Sequence, residues 1–412
     1  MRLQWPTAYV ALAFMPAVVG SAQAACTMQI VGDDLFIDGC NVHVRNGAGS
    51  TGTANGLGNL VIGYDEPRAG TTPADRAGSH NLVVGPLHHY SSYGGAVMGR
   101  QNTISGPYAT VTGGGGNTAS GNRSVVAAGQ NNVASAKWAA VGGGQGNAAT
   151  GDFAVVAAGA EGVASGRASV VAGGYQNQAT DLHTAVLAGV RGVAGPGTLG
   201  PPLALTGSQG ASVSGGLRNV AQGEAAAVSG GSMNLASGWS ASVSAGEANT
   251  ADGSAASVSG GFGNTTNNEH SSVSGGAYNT AEGAGSSIGG GSRNTTWDMG
   301  AVVSGGLENT AIGVGAVVCG GAYNQANDAY TTVAGGVANV AGPGTPLDPP
   351  VMTGSFGASV TGGLQNVATG IAASVSGGRQ NEATASQSSV SGGDGVTAGT
   401  PQSWAAGTLH SP

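Results

Sequence analysis

Between Gly210 and Ala341 the chain alternates apolar and small polar residues in blocks of fifteen. One block contains Ala211 and Val213 at alternating positions, then a glycine-rich turn, then Asn219 and Ala221, again at alternating positions. A fixed period indicates a repeat architecture, which takes precedence over local assignments. Alternating residues of a strand point to opposite faces, so Ala and Val face one side and Ser the other. Each block therefore predicts two short strands joined by turns.

The Asn of each block defines a register that extends from Ala96 to about residue 400. Val or Ile usually lies six residues before this Asn, Gly lies three before it, and Ala usually lies two after it. We count about nineteen coils of 15 residues and predict an all-β chain, a parallel β-solenoid or β-roll. Stacked side chains are expected to form inward ladders in which each Asn satisfies its amide against the next coil. The predicted ladder residues include Val213, Asn219, Ala221, Asn234, Asn249, Asn264 and Asn279.

Four segments are predicted from changes in the pattern. Residues 1–25 have a charged start, an apolar run and an Ala-x-Ala site, the layout of a secretory signal peptide. Residues 26–95 are predicted to be an N-terminal cap of longer, irregular coils, because the open end of a solenoid needs an atypical repeat. Residues 96–400 form the predicted solenoid. Residues 401–412 form a C-terminal cap or tail, in which Trp404 is expected to cover the last coil.

Two insertions interrupt the register at the same place in the coil, near 195–209 and 342–356. At each one, successive reference positions lie 27 residues apart instead of 15, and both insertions contain Gly-Pro-Gly-Thr and Pro-Pro. Duplication of a nine-coil block with one neutral insertion is the preferred interpretation. Alternatively, they are binding loops, because loops on rigid scaffolds often carry recognition. The candidate loop residues are Pro196, Pro201, Pro202, Pro343, Pro349 and Pro350.

The cysteines are interpreted in the light of predicted export, which permits disulfides. Cys26 and Cys40 flank a strand-like run from Met28 to Ile37, so we predict that they pair. Lipidation of Cys26 is the alternative, although Gln23 occupies a position where a lipobox prefers an aliphatic residue. Cys319 occupies a position that is usually Ser. After the signal peptide, no further membrane-spanning segment is expected.

Composition narrows the chemistry that we expect. The net charge is −8 and charged residues make up 8% of the chain, so nucleic-acid binding is not expected. The sequence has no lysine-bearing phosphate loop or catalytic elbow, and we expect neither enzymatic activity nor a cofactor. His80, His88 and His89 lie near Asp65 and Glu66 and could be metal ligands. Packing within the cap is the preferred interpretation, and no metal site is predicted.

The coil resembles the head repeats of trimeric autotransporter adhesins, the YadA-like family. The resemblance rests on Ala211 with Val213, on Gly215, on Asn219 with Ala221, and on Gly223. It implies a left-handed parallel β-roll and a homotrimeric head that binds host or surface ligands. The sequence departs from the family in its period of 15, in its Asn, and in lacking a recognisable heptad stalk and membrane-barrel segment, so only the head is expected.

These observations predict an exported protein that is extracellular or located at the cell surface, and we expect that surface to be the outer surface of a bacterium. We expect an adhesin-like or surface-structural solenoid that binds a surface, protein or glycan. The thin core suggests an oligomer, in which other chains add a second buried surface, and the family resemblance implies that it is a homotrimer. The alternative is binding of ice or crystalline polysaccharide by outward Ser-x-Ser arrays, such as Ser242 with Ser244 and Ser257 with Ser259. These arrays are interrupted at Val302, Val317, Cys319 and Ala334.

Overall fold

A computed structural model describes residues 26–70, 72–195, 209–343 and 356–407. The chain divides into two units, Met1–Val44 and Arg45–Pro412. The predicted fold class is confirmed, since the structure is nearly all β and forms a parallel β-solenoid of about 20 turns. Within the described ranges, the helical content is one short 3-10 helix, Pro73–Arg76.

The first unit contains an antiparallel hairpin, Thr27–Val31 paired with Asp34–Asp38. The sequence suggested one continuous run here, but Gly32 adopts a φ of 62° and the chain reverses. Gly enters this left-handed region without a steric penalty, which explains the turn. A disulfide joins Cys26 and Cys40 across the open end of the hairpin.

The second unit contains two long parallel ladders, each formed by one strand from every coil. The first, which we call the valine ladder, pairs neighbouring coils in register, so that Val213 lies beside Val228. Its strands are Leu60–Ile62, Leu82–Val84, Ala96–Met98, Thr110–Val111, Val125–Val126, Ala140–Val141, Val155–Val156, Val170–Val171, Ala185–Val186, Ser212–Val213, Ala227–Val228, Ser242–Val243, Ser257–Val258, Ser272–Val273, Ser287–Ile288, Val302–Val303, Val317–Val318, Thr332–Val333, Ser359–Val360, Ser374–Val375, Ser389–Val390 and Trp404–Ala405.

The second ladder, which we call the asparagine ladder, follows the Asn of each coil. Its inward residue is usually Ala, and Ala221 pairs with Ala236 of the next coil. Its strands are His89–Tyr90, Thr103–Ile104, Thr118–Ala119, Val133–Ala134, Ala148–Ala149, Val163–Ala164, Gln178–Ala179, Val193–Ala194, Val220–Ala221, Leu235–Ala236, Thr250–Ala251, Thr265–Thr266, Thr280–Ala281, Thr295–Thr296, Thr310–Ala311, Gln325–Ala326, Val340–Ala341, Val367–Ala368, Glu382–Ala383 and Thr397–Ala398.

A third ladder consists of single bridging residues two positions before each Asn, and the sequence did not predict it. It extends coil by coil from Arg100 to Asp394, for example from Leu217 to Ser232. One paired residue per coil leaves no alternation to detect in the sequence. With this ladder, three lines of backbone hydrogen bonds join each coil to the next.

The predicted columns face inward. Val213, Asn219 and Ala221 are fully buried, and so are their counterparts in most coils. Ala and Val are small enough for the two ladders to approach closely, and close packing is what makes a narrow interior stable. The core is one continuous column of stacked valine and alanine side chains.

Each Asn satisfies backbone groups of two coils rather than only stacking on other amides. The Oδ1 atom of Asn249 accepts the backbone N–H of Asn264 at 3.0 Å. Its Nδ2 atom donates to the carbonyl of Ala245 at 3.1 Å and to that of Gly261, in the next coil, at 3.0 Å. Direct amide–amide bonds also occur, as from Asn249 Nδ2 to Asn234 Oδ1 at 3.2 Å. Because buried backbone groups need partners, the Asn column holds the turn closed.

The glycine three positions before each Asn is required by space as well as by backbone conformation. Gly231 has a φ of 85°, and a Cβ atom there would overlap the carbonyl oxygen of Gly246. The adjacent Gly230 differs, because its backbone lies outside the left-handed region and its Cβ position is open. Ala245 occupies the position equivalent to Gly230 one coil later. Only the second glycine of each pair, the one at Gly231 and its equivalents, is therefore restricted to glycine.

At both ends the ladders extend beyond the predicted repeat. Leu60–Ile62 pairs with Leu82–Val84, which pairs with Ala96–Met98, so the valine ladder crosses residue 95 without a break. The expectation that Trp404 covers the last coil is wrong. Trp404 pairs with Ser389 on the outer side of the ladder, where its side chain is 67% exposed, and Ala405 takes the inward position beside Val390.

We predict that Gly231→Ala and Gly230→Ala differ sharply in stability. The first should lower the free energy of unfolding by about 3 kcal/mol or more, because it combines a left-handed backbone with backbone overlap. The second should change it by about 0.5 kcal/mol or less. Urea unfolding followed by circular dichroism measures both. Amide hydrogen exchange should locate the damage in the coils around Gly246, and similar losses in the two variants would contradict this account of the turn.

Candidate functional site

The outer corners of each coil carry the residues that vary most along the solenoid. The first corner immediately precedes the Asn, as at Arg218, and the second lies six residues after it, as at Ala225. Both have left-handed backbones, with φ values of 54° and 55°. Their N–H groups are bonded to the preceding coil, Arg218 to Val190 at 2.8 Å and Ala225 to Gln209 at 2.8 Å. These hydrogen bonds fix a conformation that non-glycine residues otherwise disfavour.

Aromatic and cationic side chains stack on one another at and beside the second corner of the early coils. The rings of Tyr93 and Tyr108 meet edge to face, with centroids 5.4 Å apart. The guanidinium of Arg123 lies 5.2 Å from the ring centroid of Tyr108 and 5.0 Å from that of Trp138. One coil further, Arg167 lies 5.8 Å from the ring of Phe153. We call Tyr108, Arg123, Trp138, Phe153 and Arg167 the cation–aromatic ridge.

The ridge was not predicted from the sequence, although a signal was present. Its members lie about one coil apart in the chain, and reading the sequence in columns of 15 places Tyr108, Arg123, Trp138 and Phe153 in one column. Because the ladders pair each residue with the one 15 positions later, these four residues lie one above another in successive coils.

A polar row follows the first corner beside the first insertion. Gln176 Nε2 donates to Glu161 Oε2 at 2.7 Å, and Arg191 Nε donates to Gln176 Oε1 at 2.8 Å. With Gln178 and Val193 these residues line an open groove of about 420 Å³. Gln176 links Glu161 and Arg191 through these two hydrogen bonds, and the groove carries both signs of charge, which makes it a weaker candidate for recognition of one ligand class.

Hydroxyl side chains occupy parts of both outer strand faces. Ser242 is half-buried and Ser244 is exposed, as the alternation predicted, and the free Cys319 is exposed in the same column as Ser244. The asparagine ladder adds a threonine column that the sequence analysis missed. Its five consecutive rungs are Thr250, Thr265, Thr280, Thr295 and Thr310.

The predicted histidine cluster lies at the N-terminal end of the solenoid, where His88 replaces the Asn of the repeat. Its Nδ1 accepts the backbone N–H of Asn102 at 3.2 Å, and its Nε2 lies 3.0 Å from the carbonyl of Val84, four residues earlier. These contacts match those of the Asn side chains in later coils. A neutral imidazole that is protonated on Nε2 satisfies both contacts.

Asp65 and Glu66 form contacts within the cap, with Tyr90, Arg76 and Leu87 as their partners. Tyr90 donates to Asp65 at 2.8 Å, and burial together with this bond raises the pKa of Tyr90 to about 12. Arg76 pairs with Asp65 at 3.1 Å, and the carbonyl of Glu66 accepts the N–H of Leu87 at 3.0 Å.

The two remaining histidines have separate partners. His80 accepts the N–H of Asn46 at 3.3 Å, while His89 lies 4.0 Å from Asp75. In the described parts of the chain, no group of three or more His, Cys, Asp or Glu residues is arranged to hold a metal ion.

We predict that His88 makes the first coils sensitive to acid. Burial lowers the pKa of His88 below its usual value of about 6.5. The unfolded chain therefore binds more protons, so stability is complete above about pH 6.5 and falls as the pH decreases below it. Burial also lowers the pKa of His89, which adds a second contribution of the same sign. His88→Asn should keep the rung and remove a large part of the loss in thermal midpoint between pH 7 and pH 5.

The matched control is His270→Asn, since the side chain of His270 is 67% exposed. This variant should follow the wild-type pH dependence. An equal dependence in wild type and His88→Asn would show that His88 is not the sensitive group.

Most of the candidate loop residues lie outside the described residues, namely Pro196, Pro201, Pro202, Pro349 and Pro350. Pro343 is described, and its carbonyl accepts a hydrogen bond from Asn327 at 3.4 Å. The ladders are undisturbed on either side of each insertion, since Ala194 pairs with Ala221 and Ala341 pairs with Ala368.

The chain matches no protein-family model, and no curated protein matches it either. Within the described segments, no helix is both long enough and apolar enough to cross a bilayer.

Proposed function

We propose that this chain is an exported, adhesin-like β-solenoid that binds a surface or matrix and catalyses no reaction. The supporting observation is the contrast between its interior and its corners. Val, Asn, Gly and Ala recur inside nearly every coil, whereas the corners range from Trp138 to Arg123 to Ala225. A rigid scaffold that presents varied exposed side chains is a common arrangement for recognition.

The resemblance to the heads of YadA-like adhesins supports the same proposal. Those heads also stack short parallel strands with inward Ala and Val columns. The solenoid uses Asn219 and its equivalents in addition, each of which bonds to backbone groups of two coils. Such a column gives rigidity with few apolar residues, a useful property at an exposed surface.

Adhesion is tested with purified full-length protein immobilised on beads. We expect saturable binding to at least one of three coated surfaces, namely collagen, mucin or an acidic polysaccharide. Heat-denatured protein of the same composition is the control for non-specific attachment. Binding by native protein that exceeds this control supports the proposal, and no saturable binding to any coated surface would refute it.

We further propose that three chains assemble into one head. Outward residues on the early valine ladder include Val125, which is 39% exposed, together with Val155 and Val170. Leu187 is 50% exposed on the same face. An apolar sheet face of this kind is stabilised when another chain covers it.

The trimer proposal predicts a molar mass of about three times that of one chain by light scattering. Val155→Asp should shift the protein toward monomer, because a charge on a covered apolar face is costly. Val302→Asp, at the equivalent outward position of a later coil, is the comparison. A folded wild-type monomer would contradict the assembly while leaving the solenoid intact.

Binding to ice or crystalline polysaccharide is a second candidate, favoured by the hydroxyl columns. The five threonine rungs from Thr250 to Thr310 add to the serine columns, and their spacing is about 4.8 Å. Thermal hysteresis in the purified protein is the measurement that distinguishes this candidate from adhesion.

A further inference from the structure

We propose that the cation–aromatic ridge binds acidic polysaccharide, a chain of sugars that carry carboxylate or sulfate groups. This inference rests on the proposed binding function and names a ligand class and a location for it. The ridge lies on the second corner of consecutive early coils. Tyr108 is 42% exposed, while Trp138 and Phe153 are each 45% exposed.

The distribution of charge along the solenoid favours an anionic ligand at this place. Residues 96–195 contain five Arg and Lys but three Asp and Glu, a net charge of +2. Residues 209–343 contain two Arg and eight Asp and Glu, a net charge of −6. A polyanion is therefore attracted to the early coils and repelled by the later ones, even though the whole chain carries −8.

The cations of this corner are available for a ligand. Among the described residues, Arg123, Lys137 and Arg167 form no salt bridge. By contrast, Arg293 and Arg379 pair with acidic residues one coil further on, at 3.2 and 3.3 Å. Asp152, next to Phe153 in the chain, accepts the backbone N–H of Lys137 at 3.1 Å and forms no salt bridge with the ridge cations.

Stacking between two rings holds the guanidinium of Arg123 in an orientation from which it can bind an anion that lies in the plane of the guanidinium group. The rings of Tyr108 and Trp138 cover the Arg123 guanidinium, and its one hydrogen bond among described residues is to Asn122 Oδ1, at 3.3 Å. Arg123 is exposed, so its remaining N–H donors are accessible to a ligand. A planar guanidinium binds carboxylate or sulfate through two parallel hydrogen bonds, and a fixed orientation reduces the entropy lost on binding.

The backbone holds the ridge in place before any ligand arrives. Arg123, Trp138 and Phe153 have φ values of 57°, 60° and 60°, and their N–H groups are bonded to the preceding coil at 2.9 to 3.0 Å. Tyr108 and Trp138 are two rungs apart, or about 9.6 Å, which spans roughly two sugar units. The exposed ring edges, which carry the positive part of the ring quadrupole, can then contact carboxylate or sulfate oxygens of the ligand.

The same stacking disfavours single-stranded nucleic acid. Proteins that bind single-stranded nucleic acid rely on free faces of aromatic rings, on which the bases stack. Here Arg123 covers faces of Tyr108 and Trp138, and Arg167 lies over Phe153. An acidic glycan needs only the exposed edges and the cations.

The proposal is tested by measuring binding of the full chain to polygalacturonate, dextran sulfate, neutral dextran and an oligothymidylate. We expect binding to one or both acidic polysaccharides that weakens as salt increases, and little binding to neutral dextran. Arg123→Gln should raise the dissociation constant at least tenfold, and Trp138→Ala several-fold. Both replacements suit the corner, where Gln387 and Ala168 already adopt φ values of 56° and 55°.

Trp239→Ala is the matched control, because Trp239 is an aromatic residue that is 57% exposed beside the second corner of a later coil. It should leave the affinity unchanged. Arg123→Lys keeps the charge but not the planar group and should restore only part of the binding. Amide exchange establishes that each variant retains the ladder.

Three results would overturn the proposal: unchanged affinity in Arg123→Gln, equal binding to neutral dextran, or a preference for oligothymidylate. These differ from failure of the proposed function. If wild type adheres to a coated surface and Arg123→Gln adheres equally, adhesion stands and the ridge is not its site. If wild type adheres to none, the broader proposal fails.

Discussion

The structure depends on the hydrogen bonds of the buried Asn side chains. One amide, such as that of Asn249, joins a carbonyl of its own turn, a carbonyl of the next coil and an N–H of the next coil. Buried backbone groups left without partners are costly, so this single residue makes a tight turn possible in most coils; Gly162, Gly192 and His88 occupy its position in three others. Gly231 and its equivalents then allow neighbouring turns to touch. With turns satisfied in this way, the solenoid is stable with only Val and Ala as apolar filling.

Because the interior is complete, the corners are free to vary. Side chains such as Trp138 and Arg123 are placed by backbone geometry, and their identity has little effect on the packing below them. This separation explains why one stretch of the solenoid is cationic and aromatic while a later stretch is acidic. It also supports interpreting the corners, rather than the ladders, as the place where function differs from coil to coil.

The period, the two strands per coil and the inward columns were predictable, since a repeat of 15 residues brings equivalent positions into register. Features that depend on one residue or on an end of the repeat were not. The third ladder has one residue per coil, and Trp404 lies in the last coil that the structure describes. His88 takes the place of Asn because its two ring nitrogens lie where the amide atoms of Asn would bond, which residue identity does not reveal. The cation–aromatic ridge depends on contacts between residues about 15 positions apart, which local patterns do not reveal.

The unbroken pairing across each insertion has a consequence for how such a protein changes in evolution. Ala194 pairs with Ala221 in the same register as inward alanines of coils that have no insertion. The pairing of two coils therefore does not depend on the length of chain that links them. A whole coil can be gained or lost by recombination between near-identical repeats, with the new neighbours matched from the start. Each event would move the ridge by about 4.8 Å relative to the far end. The distance between the ridge and the far end of the solenoid can therefore change in evolution by fixed steps of one coil, while the fold stays the same.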